Sequence, residues 1–198
     1  MKRIIVKFGG TSVADPSRIE RAADKVRAEI QRGHQVVVVV SAMAGVTNQL
    51  VDCCSHIAAN TDSPEYDAVV ASGEQVTSGL MALALQKRGI ISRSYAGWQI
   101  PLITNTQHGR ARIDDIPPTE LERALAEGCV PVVAGFQGVT TGGRITTLGR
   151  GGSDTTAVAI AAALRADRCD IYTDVDGVYT CDPRIVPQAQ KLPRVTYE

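Results

Sequence analysis

Four segments of this chain are apolar at nearly every position: residues 4 to 8, 36 to 40 (VVVVV), 130 to 134 and, less cleanly, 169 to 173. A strand with one face in water alternates polar and apolar residues, whereas one covered on both faces does not, so these runs predict strands of a buried parallel sheet. The intervening DPSRIERAADKVRAEIQRG (15 to 33) reads as an amphipathic helix. Ile19, Ala22, Ala23, Val26 and Ile30 form one stripe, Asp15 suits the N-cap, Pro16 the first helical position and Gly33 the stop. The three elements form a βαβ unit. Further helices are predicted at about 47 to 59, 65 to 88, 118 to 127 and 153 to 166. Residues 91 to 113 read as shorter strands around a Pro/Asn-containing turn, and 135 to 152 as a Gly-rich connection containing a hairpin. The expected fold is α/β, a three-layer αβα sandwich around a mainly parallel sheet.

Composition narrows the partners. With 198 residues, 44% of them hydrophobic, the chain can bury one sizeable core, and 21 acidic against 21 basic residues leave no net charge. No block of like charge offers a polyanion surface, so nucleic acid is not expected and small ligands are. The amino end, Met-Lys-Arg and a brief apolar run, is too short for a signal peptide. No stretch of about 18 apolar residues is free of charge, so no membrane partner and a cytoplasmic location are expected. The five cysteines include the adjacent Cys53 and Cys54 but no CxxC or Cys/His metal spacing, and reduced thiols with a packing role follow. His34, His56 and His108 stand apart from one another and are expected at surface or supporting positions, without chemistry.

Ligands of open α/β sheets sit beyond the carboxyl ends of the strands, so the four strand tips carry the functional reading. The first is Lys7-Phe8-Gly9-Gly10-Thr11-Ser12. Paired glycines let backbone N–H groups approach a phosphate, and an ammonium beside them neutralises charge moving onto it. A tight turn beside a snorkelling lysine fits the same residues. The GxxxxGK[ST] order of a Walker loop is absent. At the second tip, SAMAGVTN, Ser41 ends the strand and Gly45 and Thr47 open a helix whose free N–H groups suit an anion, or serve only as an ordinary cap. The third, LGRGGSDTTAVAIAAALRA, sets Arg150 and the Gly151-Gly152 pair at a helix start where Asp154 could be the N-cap. The fourth, TDVDGVYTCDPR, mixes acids, a Gly turn, a Tyr and an Arg, as a nucleotide pocket or a plain acidic loop would.

Taken together and in this order, KFGGTSV, SAMAGVTN, ASGEQ (71 to 75), TLGRGGSDTTA and IYTDVDGVYTCDPR resemble the aspartate kinases of the amino acid kinase family over essentially the whole chain. The resemblance implies transfer of the γ-phosphoryl of ATP to the β-carboxylate of L-aspartate, giving 4-phospho-L-aspartate on the way to lysine, threonine and methionine, with Mg2+ accompanying the nucleotide. It implies roles residue by residue. Lys7 would contact the transferring phosphoryl, with Gly9 and Gly10 as backbone donors and Asp154 orienting the lysine. Ser41 and Thr47 would line the junction of the nucleotide and aspartate sites. Glu74 would hold the substrate ammonium, and Arg150 and Ser153, with Gly151 and Gly152 between them, the α-carboxylate. Thr173, Asp174, Tyr179 and Arg184 would form the nucleotide pocket. On pattern alone, Glu74 could equally lie on a solvated helix face and Tyr179 in the core.

Catalytic domains of that family continue past the point equivalent to Glu198 into a further helix, a Gly-Ala-Lys segment whose lysine contacts ATP, and ACT regulatory domains. None of these is in the sequence. The expectation is therefore a catalytic domain over residues 1 to 198, incomplete at its C-terminus, that forms a homo-oligomer or assembles with a regulatory subunit. Two other readings stand beside it: a sibling kinase of another acid acceptor, and a non-catalytic nucleotide-binding or subunit-interaction module.

Overall fold

The computed structural model describes residues 1–58, 61–175, 177–183 and 185–196. The chain opens with β1 (Arg3–Phe8), a short 3-10 turn (Gly10–Val13), α1 (Pro16–Gln31) and β2 (Gln35–Val40). Asp15 caps α1 by accepting from the Arg18 N–H at 2.9 Å, and Pro16 occupies the first turn, as the sequence predicts. Helix α2 (Val46–Ile57) follows, and then α3 (Pro64–Val70) and α4 (Ser72–Gln86) replace the single helix expected at 65 to 88. Those two, separated only by Ala71, make a 23-residue rod that carries Asp67 and Glu74 on a buried face.

Next come β3 (Ser92–Tyr95), β4 (Ile103–Thr104), β5 (Ile113–Asp115), α5 (Thr119–Ala126), β6 (Val130–Ala134), β7 (Gln137–Thr140) and β8 (Ile145–Thr147). The chain continues through α6 (Gly152–Ala163) and β9 (Arg168–Tyr172) to a small ribbon of β10 (Val178–Tyr179) and β11 (Lys191–Leu192).

The main sheet has the order β3-β6-β2-β1-β9, with every pair parallel. Alternate residues of the valine run leave it on opposite faces. Val36, Val38 and Val40 pack with Ala22, Ala23 and Val26 of α1 and with Met81 and Leu85 of α4. Val37 and Val39 pack with Leu121 of α5 and Ala157 and Ile160 of α6. Helices on both faces of a buried parallel sheet complete the three layers.

A second, mixed sheet of order β5-β4-β7-β8 is built from the short strands expected in 91 to 113 and the hairpin expected in 135 to 152. Its central β4–β7 pair is parallel and its two outer pairs are antiparallel. It packs beside α3, so the rod touches both sheets.

Ile5 lies on the inner strand β1, between β2 and β9, and has no exposed surface. Ile5→Ala is expected to destabilise the fold by about 2–5 kcal/mol and Ile5→Val by about 0.5–1.5 kcal/mol. Urea midpoints measured with unchanged m-values check both figures.

Candidate active site

The parallel sheet places four strand ends on one edge, and hydrogen bonds continue across them beyond the strands. Gly9 N–H donates to the Tyr172 carbonyl at 3.0 Å, Ser41 N–H to Phe8 at 3.1 Å, and Gly135 N–H to Val40 at 3.0 Å. The Phe8 and Tyr172 rings stack with centroids 5.0 Å apart. Ser41, at one of these tips, lines a cleft of about 370 Å³, while Phe8 and Tyr172 line a neighbouring opening. Lys7, Gly10, Ser41, Thr47 and Glu74 line one side, and Arg150, Gly151, Gly152, Ser153 and Asp154 the other.

Two helix starts line this cleft. Gly45 caps α2 and Gly151 caps α6, both in the left-handed region (φ 83° and 77°), and neither cap bonds a first-turn N–H through a side chain. The first amide of each helix is taken by the preceding turn, Val46 N–H by the Met43 carbonyl and Gly152 N–H by the Gly149 carbonyl, both at 3.0 Å, so it is the following amides and the helix dipoles that suit both ends to anions. Asp154 is therefore not the N-cap that its position allowed. It sits in the first turn of α6, and its Oδ1 lies 2.6 Å from Lys7 Nζ, an ion pair rather than an aligned hydrogen bond. The lysine and the Asp154 Oδ1 that meets it are both buried, while the aspartate side chain as a whole is half-exposed.

Glu74 is the most perturbed group in the cleft. Only 3% exposed, it accepts the Ala42 N–H on Oε1 at 3.0 Å, while its buried Oε2 has no hydrogen-bond partner among the described residues. Burial pushes its pKa up from 4.5 to about 7 against the opposing pull of that backbone hydrogen bond. The solvated-face reading of Glu74 is thereby excluded.

Close approach explains two of the glycines. A Cβ on Gly10 would sit 2.8 Å from the Ala42 carbonyl, and one on Gly135 would sit 2.9 Å from the Ser153 side chain. Gly9 is a correction: its N–H is committed to Tyr172, so it joins strand tips rather than offering a donor to phosphate.

The expected nucleotide residues stand outside this cleft. Thr173 lines a neighbouring opening of about 420 Å³ with Arg18, Arg21, Lys25 and Tyr172. Asp174 and Tyr179 line another of about 810 Å³. Tyr179 is half-buried in β10, and Arg184 lies outside the described residues. Among the described residues no group of three or more His, Cys, Asp or Glu side chains could hold a metal ion.

Sequence reasoning missed Phe136, which lines the cleft with a backbone φ of 68°. Its N–H donates to Thr156 Oγ1 at 3.1 Å and its carbonyl accepts from Leu148 N–H at 2.9 Å, and these bonds hold the strained conformation. No local signal marks it beyond the preceding Gly135. His108 takes a supporting position, as expected: it is largely buried and its Nδ1 lies 2.7 Å from Asp67 Oδ2.

Comparison with known proteins accords with this geometry. The chain is 52% identical over 200 residues to an aspartokinase of Rickettsia conorii, covering all of this chain and 50% of that protein. To an aspartate kinase of Pseudomonas putida it is 54% identical over 201 residues, again covering all of this chain and 48% of the relative. It thus spans about half the length of the curated relatives it matches. Its fold superposes on E. coli aspartokinase III in complex with aspartate and ADP with a TM-score of 0.84 at 32% identity, covering 96% of this chain and 53% of that one. For an aspartate kinase from Synechocystis the TM-score is 0.79 at 48% identity, over 94% of this chain and 31% of the other. The profile of the amino acid kinase family matches residues 2–198, and the chain belongs to that family.

Proposed function

We propose that residues 1–198 form the catalytic region of an aspartate kinase, passing the γ-phosphoryl of ATP to the β-carboxylate of L-aspartate. One observation carries this reading. A single cleft holds a buried carboxylate with an unused oxygen, Glu74, together with the guanidinium of Arg150, the ammonium of Lys7 and two uncapped helix starts. An α-amino acid with a second carboxylate presents one cation and two anions, and this cleft offers their complements. The relatives named aspartokinase and the E. coli structure with aspartate and ADP support the same assignment.

Glu74 Oε2 accepts the substrate ammonium, and Arg150 with the Ser153 end of α6 takes the α-carboxylate. The β-carboxylate then points toward Lys7. One of its oxygens attacks the γ-phosphorus while the bond to the bridging oxygen breaks and ADP leaves with the electron pair. The attacking group is already ionised, so no general base is needed. Lys7, held by Asp154, neutralises charge on the transferring group, aided by the amides at Gly10 and at the α2 start. Thr173, Asp174, Tyr179 and Arg184 hold the nucleotide, and Ser41 and Thr47 line the path between the two sites. Mg2+ would accompany the nucleotide, held through its phosphates, and would neutralise part of their charge, leaving Lys7 to meet the charge on the transferring group.

Lys7→Ala is expected to lower kcat about 10²-fold or more with little change in aspartate affinity. Trapping of the acyl phosphate with hydroxylamine measures it, and a rate within about threefold of the parent would remove Lys7 from this role.

Burial raises the Glu74 pKa, so the folded chain holds that proton more tightly than the unfolded chain. The group's contribution to stability is complete below its ordinary 4.5 and declines as pH rises through about 7. Ammonium binding has the opposite dependence because it uses the ionised form. Aspartate affinity is expected to rise about tenfold between about pH 6 and pH 8, while Glu74→Gln binds weakly with a flat profile. Calorimetric titration at the two pH values decides it, and a flat parent profile would remove Glu74 as the ammonium acceptor.

A further inference from the structure

Asp67 has no exposed surface, and its carboxylate is held by two segments distant in sequence. From β8, Thr147 donates its hydroxyl to Oδ1 at 2.5 Å. From the turn between β4 and β5, His108 Nδ1 lies 2.7 Å from Oδ2, and the Gly109 N–H reaches both oxygens at 3.0 and 3.2 Å. A buried carboxylate with four contacts is costly to place and rigid once placed.

The position of this knot gives it a consequence for the cleft. Asp67 and Glu74 are seven residues apart on the α3–α4 rod and so lie on one face of it. Glu74 grips Ala42 beyond β2 of the main sheet, while Asp67 grips the last residue of β8 in the second sheet. Between them the Ala71 carbonyl accepts from Gln137 Nε2 of β7 at 2.8 Å. Arg150 follows Thr147 by three residues. The intervening Gly149 runs against the same turn that binds Asp67: a Cβ there would lie 3.4 Å from the Gly109 carbonyl and 3.6 Å from Arg110 Cα. Thr147 is also fixed through its carbonyl, which accepts from Ala111 N–H at 2.8 Å.

We propose that Asp67, through Thr147 and the His108–Gly109 turn, is a positioning residue that sets Arg150 at the distance from Glu74 that an α-amino acid requires. The rod acts as a ruler with one end on the ammonium site and the other on the segment carrying the carboxylate site. This rests on the aspartate kinase reading, in which Arg150 holds the α-carboxylate.

The test is a double-mutant cycle on L-aspartate binding, followed by calorimetry, with the parent chain, Asp67→Asn, Arg150→Ala and the double variant. If Asp67 acts through Arg150, Asp67→Asn weakens L-aspartate binding about tenfold. It then adds less than about twofold in the Arg150→Ala background. β-Alanine, which lacks the α-carboxylate, binds parent and Asp67→Asn alike, and nucleotide affinity is unchanged. Thr147→Val reproduces the loss whereas Thr147→Ser, which keeps the hydroxyl, binds as the parent does, and the Thr147→Val cycle with Arg150→Ala stands in if Asp67→Asn does not fold. Additive losses, or equal losses for β-alanine and nucleotide, would overturn the positioning role while leaving the kinase reading intact. A parent chain that binds no L-aspartate would overturn that reading and this inference with it.

Discussion

Everything functional here depends on the parallel, in-register pairing of β1 with β2 on one side and β9 on the other. Parallel strands all finish on the same edge, and here the backbone bonds run past the strands themselves: Tyr172 to Gly9, Phe8 to Ser41 and Val40 to Gly135. Each of these tips is hydrogen-bonded to its neighbour before the chain turns into the next element. The cleft is thus assembled from segments more than 100 residues apart without any one of them having to find its place alone.

The same constraint accounts for the chemistry of the glycines. Tips packed this closely leave no room for a Cβ at Gly10 or Gly135, and the reversals into α2 and α6 demand left-handed backbone at Gly45 and Gly151. The reversals leave two helix starts bare, which supplies partial positive charge without a side chain. Lys7 adds a full positive charge and Asp154 keeps it in register. Glu74 supplies the one buried carboxylate that lines the cleft, and its burial raises its pKa to about 7.

The second sheet backs the segment that carries Arg150, which follows the end of β8 by three residues. It bonds to the rod at Asp67 and Ala71, and Arg144 of the β7–β8 turn pairs with Glu65 at the start of α3. The rod is therefore tied by side chains to both sheets. It holds them at a fixed separation and leaves the cleft mouth open to solvent.

The sequence by itself determined the layers and the tips. Unbroken apolar runs identify buried strands because a doubly covered strand has no polar face, and the Asp15-Pro16 start and the α1 stripe follow from local backbone chemistry. Lys7, Ser41, Thr47, Glu74 and the Arg150–Asp154 segment were all legible as candidates, since each breaks the pattern of the element it ends or occupies. Only the tertiary structure decided which of them meet. It separated Thr173, Asp174 and Tyr179 from the first cleft, withdrew Gly9 as a donor and moved Asp154 from cap to counter-ion. It also revealed Phe136 and the Asp67–His108–Thr147 knot. These last features depend on contacts between residues up to 80 positions apart. Periodicity reports which face of its own element a residue occupies, whereas the hydrogen-bond partner of a buried carboxylate is set by how whole elements pack.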